Sequence, residues 1–149
     1  MKSISDCTEA FESDTDCILR LLQEWPPSKA GLQEKEYEQE LQSWLKQKLV
    51  DVPIVAQYGI AKGKADLVIE DAHVIELKLG FSDESLVEFD RCIGQMERYR
   101  QKWVNKDRGK VFLVVVGKSE TEFRTMLHNA VEKLNQEYFI KRFFIIEKF

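Results

Sequence analysis

The spacing of apolar residues changes several times along the chain, and each change predicts an element. Over 16–25, Cys17, Ile18, Leu21, Leu22 and Trp25 recur at helical spacing, and Pro26 and Pro27 end the run. A second helix is predicted over about 32–49, with Tyr37, Leu41, Trp44, Leu45 and Leu49 as its stripe. The period then falls to two. A strand is predicted over 52–58, with Pro53 near its start, where the missing N–H is tolerated. After a turn over 59–63, the stretch 64–79 reads as a β-hairpin. In it Leu67 and Ile69 alternate with Asp66 and Val68, and Ile75, Leu77 and Leu79 alternate with Glu76 and Lys78. The polar stretch 80–85 breaks the pattern, with Ser82 or Asp83 able to cap a following helix. That helix is predicted over 84–105, through Phe89, Cys92, Ile93, Met96, Tyr99 and Trp103. The continuous apolar run 110–116 has the signature of a strand covered on both faces. A helix over 121–136 (Phe123, Leu127, Ala130, Val131, Leu134) and a strand over 138–146 complete the chain.

The predicted order is a leading helix, then helix, three strands, helix, strand, helix and strand. Three strands in a meander followed by strand–helix units imply an α/β fold, a mixed sheet flanked by helices. A length of 149 residues suits a single domain with its own core. Within it, 1–31 reads as an accessory N-terminal segment whose first 14 residues are polar and loosely packed, 32–117 as the core, and 118–149 as a C-terminal αβ extension.

Composition narrows the class. No apolar run is long enough to span a bilayer, and the first residues lack the apolar segment of a secretory signal, so no membrane partner and a cytoplasmic location are expected. Cys7, Cys17 and Cys92 show neither a Cys-x-x-Cys pair nor a histidine at zinc spacing, and read as free thiols. The net charge of −4 argues against coating nucleic acid by bulk electrostatics. Yet residues 1–40 hold 4 Lys/Arg against 10 Asp/Glu and residues 41–149 hold 18 against 16, so the larger part of the chain is free to carry a local basic face.

The hairpin carries the chemistry. Glu76 and Lys78 are two apart and share a face, while Leu77 points the other way. Charges inside an apolar strand are costly unless paired or metal-bound. A three-residue loop of Asp71, Ala72 and His73, one of them left-handed, sets Asp66 opposite Lys78 and brings all three charges to one face. Two carboxylates with a backbone carbonyl suit Mg²⁺ or Mn²⁺ rather than zinc. Such an ion activates water and stabilises charge on a phosphate. The plainer alternative is a cross-strand salt bridge, which recovers little of its desolvation.

The order helix, three strands, helix and strand, with Asp66 on the second strand and Glu76-Leu77-Lys78 on the third, resembles the PD-(D/E)XK nuclease superfamily over about 33–117. The resemblance implies a restriction-endonuclease-like αβββαβ core, here with an extra N-terminal helix and a C-terminal αβ unit. It implies metal held by Asp66, Glu76 and the Leu77 carbonyl, with Lys78 assisting hydrolysis of DNA. Ala65 stands where many members have proline. Members often add a glutamate from the first helix; Glu38, on the flank of the apolar stripe, is the choice and Glu34 the runner-up. Gln95 and Tyr99 form a Gln-x-x-x-Tyr motif resembling that of recombination-type exonuclease domains. Spaced i to i+4, they share a helix edge, Gln95 to hold the substrate end or the water and Tyr99 to stack or pack. Arg91, Arg98 and Lys102 lie on the same flank, and Lys62 and Lys64 in the preceding turn, as phosphate contacts.

The expected function is a Mg²⁺- or Mn²⁺-dependent nuclease acting on DNA, RNA not being excluded. The alternative is a catalytically weak nuclease-fold module that binds nucleic acid or a partner protein. A homodimer through the terminal strand, or a helicase or repair partner, fits a chain without a second domain.

Overall fold

The computed structural model describes residues 13–29, 31–60, 62–106 and 109–149. The initial polar stretch lies almost wholly outside these residues, as does Cys7. The elements are α1 (Asp14–Glu24), α2 (Glu34–Lys48), β1 (Ile54–Ile60), β2 (Gly63–Ile69), β3 (His73–Leu79), α3 (Leu86–Lys102), β4 (Val111–Val116), α4 (Thr121–Asn135) and β5 (Phe143–Lys148). Short 3-10 turns at Asp83–Ser85 and Val104–Lys106 flank α3. Local chemistry sets the helix ends. The Ser13 hydroxyl accepts the Asp16 N–H at the start of α1, and Gln33 and Glu36 form a capping box at the start of α2.

The five strands form one mixed sheet in the order β1-β2-β3-β4-β5, antiparallel across the first three and parallel from β3 to β5. Helices cover both faces, an α/β architecture. On one face α1 and α2 bury Ile18, Leu22, Leu41 and Leu45 against Leu67, Ile75, Leu77, Phe112, Val114 and Ile146. On the other, α3 and α4 bury Phe89, Met96, Tyr99 and Leu127 against Val68, Val74, Val111, Leu113 and Val115. All six residues of β4 are buried, as its unbroken apolar run predicts. The leading helix is integral to the core: Cys17, Ile18, Leu21 and Leu22 are each at most 2% exposed. Burial of a side chain of that size contributes about 1.5–3 kcal/mol.

Three expectations need correction. The hairpin loop is Glu70, Asp71 and Ala72, with Glu70 and Asp71 both left-handed, so Leu67 pairs with Ile75 and Ile69 with His73. Asp66 therefore stands opposite Glu76, not Lys78. The odd loop length keeps the parity, but the turn falls one residue earlier because Glu70 leaves the strand. His73 is accordingly not a turn residue. It opens β3, buried, with its ring edge-on to Phe112. The last strand starts at Phe143 rather than at 138, because the Asn135 carboxamide takes the N–H groups of Arg142 and Phe143 and donates to the Phe143 carbonyl. Phe139 and Ile140 are left exposed in the connection. Among the thiols, Cys92 is free and buried, but Cys17 is disulfide-bonded. No helix among the described residues is long and apolar enough to cross a membrane.

One glycine fixes the approach of α3 to the sheet. Gly109, at φ +136°, lies so close to Ala72 that a Cβ there would overlap the Ala72 carbonyl. That carbonyl accepts the Trp103 indole N–H at 3.0 Å. Gly109→Ala adds backbone strain and a clash that only main chain can relieve. A loss on the order of 3 kcal/mol is expected, read as an earlier urea midpoint at unchanged slope.

Candidate active site at the fork of the sheet

Pairing between β2 and β3 joins Leu67, Val68 and Ile69 to Ile75, Val74 and His73. Beyond it, Gly63, Lys64 and Ala65 continue to pair with β1, whereas residues 76–79 continue to pair with β4. The sheet thus forks, and Asp66 and Glu76 stand at the crotch. Side-chain bonds replace the ladder there. The Leu77 N–H donates to Asp66 Oδ2 at 2.8 Å, and the Asp66 N–H donates to Glu76 Oε1 at 3.4 Å.

The fork goes with a change of layer. Leu67 and Ile69 face the α1–α2 side, but Ala65 belongs to the α3–α4 side. In β1, Ile54 and Ala56 likewise face α1 and α2, and Tyr58 and Ile60 face α3 and α4. The β1–β2 ladder omits one pair, Gln57 with Asp66, at this crossing. The outer half of the β1–β2 hairpin therefore peels away from β3 and leans on α3, where Tyr58 meets Trp103 edge-on. The Arg98 guanidinium lies over Gly63, in the space a Cβ would fill.

Glu76 is 1% exposed, facing α3 between Ile75 and Leu77, which face α2. Its Oε1 accepts the Tyr99 hydroxyl at 2.6 Å, and its Oε2 lies 3.5 Å from Lys78 Nζ. Glu34 reaches Lys78 from the first turn of α2, at 3.9 Å. One turn on, Glu38 is buried; its Oε1 accepts the Gln57 side-chain N–H at 2.7 Å and lies 3.5 Å from Lys35 Nζ. Glu36 is exposed and forms the cap, while Glu40 accepts the Ser28 N–H.

The charges are mismatched. Burial, then repulsion from Glu76 and Glu38, push the Asp66 carboxyl up to about 8 against the pull of the Leu77 N–H and Lys78. Burial also raises Glu76, opposed by the Tyr99 hydroxyl and Lys78. Burial raises Glu34 as well. At Lys78, burial works against the charge, but Glu76 and Glu34 prevail and raise it. The Cys92 thiol, behind this cluster, is pushed up to about 12 by burial and stays protonated.

The other sequence-predicted residues divide. Tyr99 is fully buried and spends its hydroxyl on Glu76, so it cannot stack on a base; packing behind the acids is its role. Gln95, one turn earlier, carries a buried Oε1 with no partner among the described residues. Arg91 and Lys102 are exposed on α3, and Lys62 and Lys64 are exposed beside Gly63. Arg100, on another side of α3, turns to Glu97 and Glu137 at a groove of about 620 Å³ between α3 and α4, and takes no part in the fork.

Gln57 escaped sequence reasoning. Residues 54, 56, 58 and 60 keep an unbroken alternation through the crossing, so the change of layer leaves no trace in the pattern. The acidic side chains about the fork are Asp66 and Glu76, adjacent, with Glu34 reaching Lys78 and Glu38 reaching Gln57 from α2. Among the described residues no group of three or more His, Cys, Asp or Glu is drawn together as a preformed metal cage. Comparisons with protein-family models, with curated proteins and with solved structures found no significant match to the chain.

Proposed function

We propose that the fork is the active site of a metal-dependent nuclease of PD-(D/E)XK type, hydrolysing phosphodiester bonds in DNA. One observation carries the reading. Two carboxylates, the buried Glu76 and the half-buried Asp66, are held side by side where the sheet opens, with Lys78 3.5 Å from Glu76. The burial of like charges is costly in a purely structural site, and a bound hard cation would offset it. Asp66 and Glu76 would hold Mg²⁺ or Mn²⁺, the Leu77 carbonyl completing the set and Glu38 standing close. Bound there, the ion would supply a water of lowered pKa and Lewis acidity toward a phosphate oxygen.

The chain's own residues do the rest. Tyr99 holds Glu76 in one orientation through its hydroxyl, and the Leu77 N–H does the same for Asp66. Lys78 donates to the attacking water or to a phosphate oxygen. The Gln95 Oε1, buried and unpartnered among the described residues, offers an acceptor for a substrate hydroxyl or water. Arg91, Arg98 and Lys102 on one side, with Lys62 and Lys64 on the other, would grip the backbone across the gap.

Purified protein is expected to cut linear, nicked, branched or single-stranded DNA with Mg²⁺ or Mn²⁺, and Asp66→Ala to abolish cutting. Absence of cleavage on every substrate would sink the proposal. The lack of a preformed three-ligand cage among the described residues favours one second reading, a weakly active module that binds nucleic acid or a partner protein. Calorimetry separates the two: the nuclease binds Mn²⁺ in a manner lost in Asp66→Ala, and the module does not bind it.

A further inference from the structure

Among the described residues five non-glycine side chains sit at positive φ. Asp51, Glu70 and Asp71 are in turns and Phe149 is the last residue; Gln57 alone lies inside a strand, at φ 54°. A long side chain rarely adopts that conformation, and such outliers persist where the surroundings enforce them, often at functional sites. Gln57 stands opposite Asp66 at the pair omitted from the β1–β2 ladder. Its carboxamide Nε2 donates to Glu38 Oε1 at 2.7 Å, although the residue as a whole is exposed. The exposed Lys35 also lies near that carboxylate, its Nζ 3.5 Å from the same oxygen.

We propose that Gln57 is a positioning residue: its left-handed backbone turns the carboxamide onto Glu38 and locks that helix-borne carboxylate beside Asp66 at the fork. The inference rests on the nuclease reading and assigns a role to a residue which that reading does not need. Backbone and side chain act together. The reversal at Gln57 accompanies the passage of β1 from one layer to the other, and the same reversal aims the carboxamide. A charge-assisted bond from a neutral amide fixes the rotamer of Glu38 without cancelling its charge. In metal sites such outer partners set ligand orientation.

A purely architectural role for the reversal makes a different prediction, because glycine adopts φ 54° without strain and keeps the change of layer. The experiment compares wild type, Gln57→Gly, Glu38→Ala and the double variant by thermal melting, Mn²⁺ calorimetry and cleavage kinetics. Gln57→Gly should melt at or above wild type, yet lose about 10–100-fold in Mn²⁺ affinity or kcat. KM for DNA should stay within about twofold, since uniform substrate binding is untouched. In the Glu38→Ala background the same substitution should cost nothing further. Full activity and Mn²⁺ affinity in Gln57→Gly would overturn the inference, as would equal losses in both Glu38 backgrounds or a fall in melting temperature matching the fall in rate. A wild type that neither binds Mn²⁺ nor cuts DNA overturns the nuclease reading and this inference with it, a result distinct from those three.

Discussion

Asp66→Asn is expected to make the metal-free protein more stable than wild type at neutral pH, even as it removes the proposed cleavage. The ordinary carboxyl value of 3.8 is pushed up to about 8 at Asp66, first by burial and then by Glu76. Between those values the folded chain keeps a proton that the unfolded chain has released. Stability therefore falls as pH rises from about 4 to about 8, and is greatest below that window. Each pKa unit corresponds to about 1.4 kcal/mol, so the penalty at pH 7 is on the order of 2–4 kcal/mol. Asparagine mimics the protonated form and keeps an oxygen for the Leu77 N–H, which removes the slope. Urea melts of both proteins at pH 5, 6, 7 and 8 without metal are the measurement. Millimolar Mn²⁺ should raise the wild-type melting temperature and leave Asp66→Asn unmoved. A variant less stable than wild type throughout this range would show that Asp66 is a structural ion-pair member, and the cation site would lose its rationale.

His73 should impose the opposite slope. Burial, then the neighbouring Lys110 charge, lower the imidazole from 6.5 to about 4, against a weaker pull from Asp14. Its Nδ1 has no hydrogen-bond partner among the described residues, and its ring packs against Phe112. The neutral form is the folded one. Stability is full above pH 6.5 and is lost as pH falls toward 4, by about 3 kcal/mol in all. His73→Phe preserves an aromatic at that position and removes the acid limb. Chemical melts at pH 4.5, 5.5 and 7 should show wild type losing more than the variant on acidification, and equal losses would refute the assignment. Over pH 4 to 6.5 the contributions of Asp66 and His73 run against each other. These two contributions largely offset each other there, and each single variant exposes the slope of the residue that remains.

How far the chain discloses its fold can be judged at these residues. The strand period and the charged positions within it place Asp66, Glu76 and Lys78 in one hairpin, and the odd loop gives the parity. Which three residues make the loop is not legible, because Glu70 continues the alternation and only its left-handed backbone takes it out of the strand. The helical stripe separates buried Tyr37 and Leu41 from exposed Glu36, and places Glu38 at the border where it turns inward. Tyr99 reads as a core residue and as a ligand-facing one equally well from spacing; its contact with Glu76 depends on how α3 sits across the sheet. The run 138–146 looks like one strand, since nothing in its polarity marks the place where Asn135, at the end of the preceding helix, captures the main chain. Pattern reports period and polarity. Long-range side-chain bonds and left-handed residues carry little of either.

The order of the strands across the sheet is also their order along the chain. Each strand therefore finds its neighbour already made, and the sheet can be laid down progressively during synthesis, without waiting for a distant edge. The two acids belong to the antiparallel meander, the first three strands along the chain. Tyr99, which donates to Glu76, arrives only with the helix that follows. Of the groups that ease the pair, Lys78 and the Leu77 N–H come with the meander itself, and only the Tyr99 hydroxyl waits for α3.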